Sequence, residues 1–165
     1  YVLLLGAGGT GKTAAALALL CGMASKRNQA ANGRPMIVTM VPLPTVRKAD
    51  GKLSGAVLDG AALDTAVLTS LGLLDVPQVD GVLARSEIVV ILDSLDECEL
   101  PADASIIDGI LDATRFTKRC RVIVTCRTEF LAARNYAAAG QLELAVGFTD
   151  SQLERLCCRI EARQR

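Results

Sequence analysis

The sequence predicts an α/β fold, a three-layer α/β/α sandwich around a five-stranded, mainly parallel sheet. Short apolar runs alternate with longer stretches of helical periodicity along the 165 residues. The first run, Tyr1-Val2-Leu3-Leu4-Leu5, leads through glycines into an alanine- and leucine-rich segment, which is a strand–turn–helix order. Ile88-Val89-Val90-Ile91-Leu92 is the most β-branched run, as a central strand buried on both faces requires. Strands separated by helices need right-handed crossovers, and those make the sheet mainly parallel.

Taken in order, Tyr1–Leu5 is the first strand, and Ala14 to about Lys26, broken only by Gly22, is the helix that covers it. Asn32-Gly33-Arg34-Pro35 closes this unit as a turn. Met36 to Val41 is the second strand, ended by Pro42 and Pro44, and residues 45–60 form an irregular polar insertion. Leu63, Ala66, Val67, Leu71 and Leu74 recur at helical spacing, and a short helix over Val79 to Arg85 follows Pro77. Ile88–Leu92 is the third strand, Ser105-x-x-Asp108 opens a helix carrying Ile106, Ile110 and Leu111, and Arg121–Thr125 is the fourth strand. A helix over Glu129–Ala139 stops at Gly140, and Leu142–Val146 alternates as a fifth strand. Thr149-Asp150-Ser151-Gln152 has the capping-box pattern, ahead of a helix with Leu153, Leu156, Cys157 and Ile160 on one face.

Length fits one domain over 1–165, with a single sizeable core. The opening tyrosine already inside a strand and the charged Arg163-Gln164-Arg165 give the expectation of a domain from a longer chain. Net charge is zero, histidine is absent and basic residues do not cluster, which argues against an electrostatic grip on nucleic acid or a membrane surface. The apolar stretch Ala14–Ala24 is shorter than the ~18 residues of a membrane span. Six scattered cysteines without C-x-x-C spacing read as small hydrophobes in a reducing, cytoplasmic compartment. Zinc is not expected from this set.

Gly6-Ala7-Gly8-Gly9-Thr10-Gly11-Lys12-Thr13 reads G-x-x-x-x-G-K-T directly after the first strand, the signature of a P-loop NTPase fold. Glycines let the chain wind tightly with its N–H groups turned toward a phosphate. Lys12 would reach the β- and γ-oxygens, Thr13 would ligate Mg²⁺, and the positive end of the following helix would face the phosphates. With Ala14 on the first helical turn, these residues form the expected nucleotide-binding set.

A phosphate loop needs a partner that handles metal and water. Asp93, at the end of the central strand, suits the Mg²⁺-holding carboxylate. Asp96 and Glu97 suit a general base or water-orienting group, with Glu97 preferred as the base. At the end of the next strand, Thr125 and Arg127 suit a polar side chain and a guanidinium that sense a γ-phosphate. The plainer alternative makes the acids a solvated loop and Arg127 a surface side chain.

Gly6–Thr13, Ile88–Glu97 and Val122–Arg127 together resemble the NACHT domain of the STAND class of P-loop NTPases, of NOD-like receptor type. Ser94, a small residue directly after the aspartate, with an acidic pair two residues later, separates this pattern from general AAA-type ATPases, which carry Asp-Glu at once. Leu144-Ala145-Val146-Gly147-Phe148-Thr149 is similar to the segment that leaves the NACHT core. The resemblance implies an ATP/ADP switch in innate-immune signal transduction. In such a switch, exchange drives self-association and gathers effector and sensor domains of the same chain. The chain departs from the family pattern in lacking its β-phosphate histidine and in Thr128, where proline is common. A scaffold that binds nucleotide without turnover, an AAA-type ATPase and a P-loop kinase are the competing readings.

Overall fold

The computed structural model describes residues 1–25, 34–46, 60–77, 79–98, 120–134 and 141–144, together with 151 and 155. Its strands are β1 (Val2–Gly6), β2 (Met36–Pro42), β3 (Glu87–Asp93), β4 (Arg121–Arg127) and β5 (Gln141–Leu144). Its helices are α1 (Lys12–Ser25), α2 (Gly60–Ser70), α3 (Val79–Arg85) and α4 (Thr128–Ala132). Single 3-10 turns lie at Leu43–Thr45 and Leu95–Glu97. The strands hydrogen-bond in the order β2-β3-β4-β1-β5, and every pairing is parallel. Four of them have described side chains, whereas β5 extends the sheet beside β1 and is described as backbone alone.

Alternation within each strand divides its side chains between two helical layers. On one face Leu4, Val89, Ile91 and Ile123 meet Ala15, Ala16, Leu19 and Met23 of α1. The two alanines bring the α1 backbone close to the sheet. On the other face Leu3, Leu5, Ile88, Val90, Leu92, Val122 and Val124 meet Leu63, Val67 and Leu68 of α2, Leu83 of α3 and Leu131 of α4. The chain is therefore α/β with helices on both sides of a parallel sheet, and β3 is buried from Ile88 onward, as its β-branched run requires.

Several boundaries differ from the sequence reading, three of them for a local physical reason. The first helix starts at Lys12, so the end of the glycine-rich motif already forms its first turn. The second helix stops at Ser70 rather than running to Leu74. Gly72 adopts φ +67, its N–H bonds Thr69 O at 3.0 Å, and Leu73 N–H bonds Leu68 O at 2.8 Å. This is a Schellman cap, and it turns Leu74 outward to 48% exposure. Strand β2 includes Pro42, which an edge strand tolerates at its end because the missing N–H interrupts no interior ladder.

Of the insertion expected over 45–60, Thr45 closes the turn that begins at Leu43, Val46 is buried and Gly60 starts α2, while 47–59 lie outside the described residues. So do the expected helix at 105–111, residues 135–139 of the helix expected to reach Ala139, Ala145 and Val146 of the fifth strand, and most of the capped helix, of which Ser151 and Arg155 are helical; α4 itself ends at Ala132, with Ala133 and Arg134 in a turn. Among the described residues no helix is long and apolar enough to cross a membrane.

Candidate functional site

β4 lies between β1 and β3, so three strand ends meet at one edge of the sheet: the glycine-rich loop after β1, the turn after β3, and Thr125–Arg127 closing β4. A ligand site at the carboxyl ends of parallel strands, where consecutive strands diverge, is the expected location in this class of sheet.

The loop holds its shape through backbone conformation. Gly9 and Gly11 sit at φ +76 and +86, a region that penalises any Cβ. Thr10 ties the turn by donating from N–H and Oγ1 to Ala7 O, at 3.3 and 2.8 Å. Ala15 N–H then bonds Gly11 O at 2.8 Å and starts α1. The Lys12 ammonium folds back over the loop and donates to Gly6 O and Ala7 O, both at 2.9 Å. Two of its three N–H donors are thereby placed.

Side chains organise the second region. Asp93, 4% exposed, receives Thr13 Oγ1 at 3.1 Å on Oδ2 and Thr125 Oγ1 at 2.5 Å on Oδ1. Thr125 Oγ1 also accepts Ser94 N–H at 2.9 Å, which pins Ser94 in a left-handed conformation at φ 64. Asp96 faces β4: its Oδ2 lies 2.8 Å from Arg127 Nε, and its Oδ1 accepts Arg127 N–H at 3.0 Å. Glu97 is exposed and, among the described residues, its carboxylate takes no side-chain hydrogen bond.

A cleft of about 270 Å³ is lined by Gly8, Gly9, Gly11, Lys12, Thr13, Ser94, Asp96, Glu97 and Arg127. The larger groove of 380 Å³ between the end of β2 and α2 lacks this mixture of glycine backbone and charge. The Arg127 fork leans toward the loop, with Nη1 3.9 Å from where a Cβ on Gly8 would stand.

Most of the residues singled out in the sequence therefore come together, but in unequal roles. Gly6, Ala7 and Thr10 shape the loop from behind its mouth, and Ala14 is exposed on α1 away from the cleft lining. Thr125 departs from its expected place beside a γ-phosphate. It is fully buried and its hydroxyl is committed to Asp93 and Ser94, so it supports the carboxylate from below. Ser94, which the sequence offers as the small residue marking the family pattern and not as a site residue, lines the cleft; its left-handed backbone has no sequence signal, because glycine or asparagine is the usual residue there.

Two cysteines border the acids. Burial pushes the Cys126 thiol up to about 12, helped by Asp96. The Cys98 thiol rises to about 11 through burial first and then through Asp96 and Glu97. Both stay protonated at neutral pH and are poor nucleophiles.

Thr13 and Asp93 are the described residues whose oxygens could hold a small, hard cation. Both supply hard oxygen ligands, 3.1 Å apart and linked by a hydrogen bond from Thr13 Oγ1 to Asp93 Oδ2. Among the described residues no group of three or more Cys, Asp or Glu side chains could enclose a metal, so the remaining ligands would be water and phosphate oxygens.

No family model matches the chain, and no curated protein matches it. Among solved structures it is similar to a chain in the structure of Drosophila ORC bound to GC-rich DNA and Cdc6, at 10% identity and a TM-score of 0.38, over 93% of this chain and 52% of that chain. The corresponding complex with AT-rich DNA and Cdc6 gives 10% identity and a TM-score of 0.33, over 92% and 52%. The chain spans about half the length of these solved chains. Likeness at this level carries no argument about what the chain does.

Proposed function

We propose that this chain binds ATP or ADP with Mg²⁺ in the cleft between the glycine-rich loop and the β3 and β4 ends, hydrolyses ATP slowly, and serves as the switch of a cytoplasmic STAND-type signalling protein. The observation that carries the reading is the loop itself. Gly9 and Gly11 at positive φ open α1, a helix of 14 residues, directly against a cleft that also holds Thr13 and the acids. Backbone N–H groups, helix dipole and ammonium all favour a polyanion at that point.

In this reading the loop N–H groups and Lys12 bind the β- and γ-phosphates, and Thr13 and Asp93 hold the metal. Mg²⁺ would neutralise charge on the phosphate oxygens. Glu97 takes the proton of a water whose oxygen attacks the γ-phosphorus, while the bond to the β,γ-bridging oxygen breaks to leave ADP and phosphate. Arg127 stabilises negative charge on the transferred group. The NACHT assignment rests on the Asp93-Ser94-Leu95-Asp96-Glu97 pattern and brings with it the expectation of self-association with effector and sensor regions.

Binding of a fluorescent ATP analogue tests the reading. Lys12→Ala should weaken it at least a hundredfold with the fold retained by circular dichroism; binding at parental affinity would sink the phosphate-loop assignment. Glu97→Gln should keep ATP bound and stop phosphate release. Turnover equal to the parent would remove Glu97 as the base, and absence of turnover in the parent would favour a binding-only scaffold.

A further inference from the structure

We infer that Asp96, rather than handling water, is the positioning residue that aims Arg127 at the terminal phosphate and so makes the site prefer ATP to ADP. The inference rests on the nucleotide reading above and assigns one of its acids a different task. Asp96 is held in the 3-10 turn after β3 and its side chain is only 6% exposed, whereas the Arg127 side chain is 52% exposed. Left alone, an exposed arginine at a strand end would sample many rotamers.

The carboxylate removes that freedom at two points. Oδ2 takes Nε at 2.8 Å, and Oδ1 takes the N–H of the same residue at 3.0 Å, so backbone and side chain of Arg127 are fixed to one group. Because Nε is the donor used, the four N–H bonds of Nη1 and Nη2 take no acceptor among the described residues and remain for another. Nη1 lies on the Gly8 side of the cleft, which Thr13 also lines. A carboxylate already bridging a guanidinium and an amide is a poor base for water. Glu97, exposed on the same turn, carries no such commitment among the described residues.

ATP and ADP share the contacts of the loop and Lys12 to the β-phosphate and differ in the γ-phosphate, which Arg127 would meet as the one guanidinium among the described cleft residues. Affinities for both nucleotides should therefore be measured for the parent, Asp96→Ala, Arg127→Ala and the double variant. The expected result is an ATP-over-ADP preference lowered about tenfold or more in each single variant, the size of one charge-assisted hydrogen bond. ADP affinity should stay within about twofold, and the double variant should be no worse than Arg127→Ala. Asp96→Glu, which keeps the charge, should recover part of the preference.

Additive losses, or lost turnover with the preference intact, would overturn the inference and return Asp96 to water handling. Equal loss of ATP and ADP affinity would also overturn it, as the mark of a merely structural role. A parent that binds neither nucleotide would overturn the nucleotide reading itself, and this inference with it.

Discussion

The two halves of the cleft are built on opposite principles. The loop after β1 is exposed at Ala7, Gly8 and Gly9 and keeps its form through glycine backbone angles and local bonds such as Thr10 to Ala7. The turn after β3 keeps its form through buried side chains that reach across to β4, Asp93 to Thr125 and Asp96 to Arg127. One half is specified by what is missing from its residues, a Cβ. The other is specified by what its residues donate and accept. Damage should accordingly arise from added atoms in the first half and from deleted polar atoms in the second.

The largest expected effect is in the buried network. Thr125→Val keeps the shape but takes from the Ser94 N–H its acceptor and leaves Asp93 Oδ1 with the longer 3.4 Å bond from Thr13. At about 1–3 kcal/mol for each unsatisfied buried group, urea unfolding should show a loss of about 2–4 kcal/mol. A loss below about 0.5 kcal/mol would show that the network does not hold the turn. Next comes Gly11→Ala, at φ +86, with an expected cost of about 1–3 kcal/mol.

The cysteines beside the acids give a pH test of the same half. Their folded-state values, about 11 for Cys98 and about 12 for Cys126, lie above the ordinary 9.0, so the native state holds these protons more tightly than the unfolded chain does. Stability from this source is complete below pH 9 and declines as pH rises through about 11 to 12. Replacing both with serine should flatten the decline in unfolding midpoint between pH 9 and 11 relative to the parent; an identical slope would refute the shifts. The smallest effect is at Gly8, whose φ is not in the positive region and where an added Cβ meets Arg127 Nη1 only at 3.9 Å. Gly8→Ala should change the unfolding free energy by no more than about 0.5 kcal/mol, in contrast to Gly11→Ala in the same loop.

That contrast also governs what could be read from the sequence. The loop was legible because its determinants are contiguous: a strand, four glycines, Lys12 and Thr13 within thirteen residues. Asp93 was legible as an acid ending a buried strand. The tie from Thr125 to Asp93 and the clamp of Asp96 on Arg127 were not, since each spans more than 30 residues and exists only because β4 inserts between β1 and β3. Periodicity reports which residues face inward, not which strand lies beside which. The early end of α2 was accessible in principle: Leu71-Gly72-Leu73 carries a Schellman signature, but Leu74 continued the apolar spacing past it.

The central claim is that these two differently built halves close on one Mg²⁺-nucleotide, with Thr13 from the first and Asp93 from the second 3.1 Å apart. It is tested most directly by titrating ATP into the parent and Asp93→Asn, each with and without Mg²⁺. A single shared site predicts that Mg²⁺ tightens ATP binding at least tenfold in the parent and by less than about twofold in Asp93→Asn. ATP binding that ignores Mg²⁺ in the parent, or an unaltered Mg²⁺ dependence in Asp93→Asn, would contradict it.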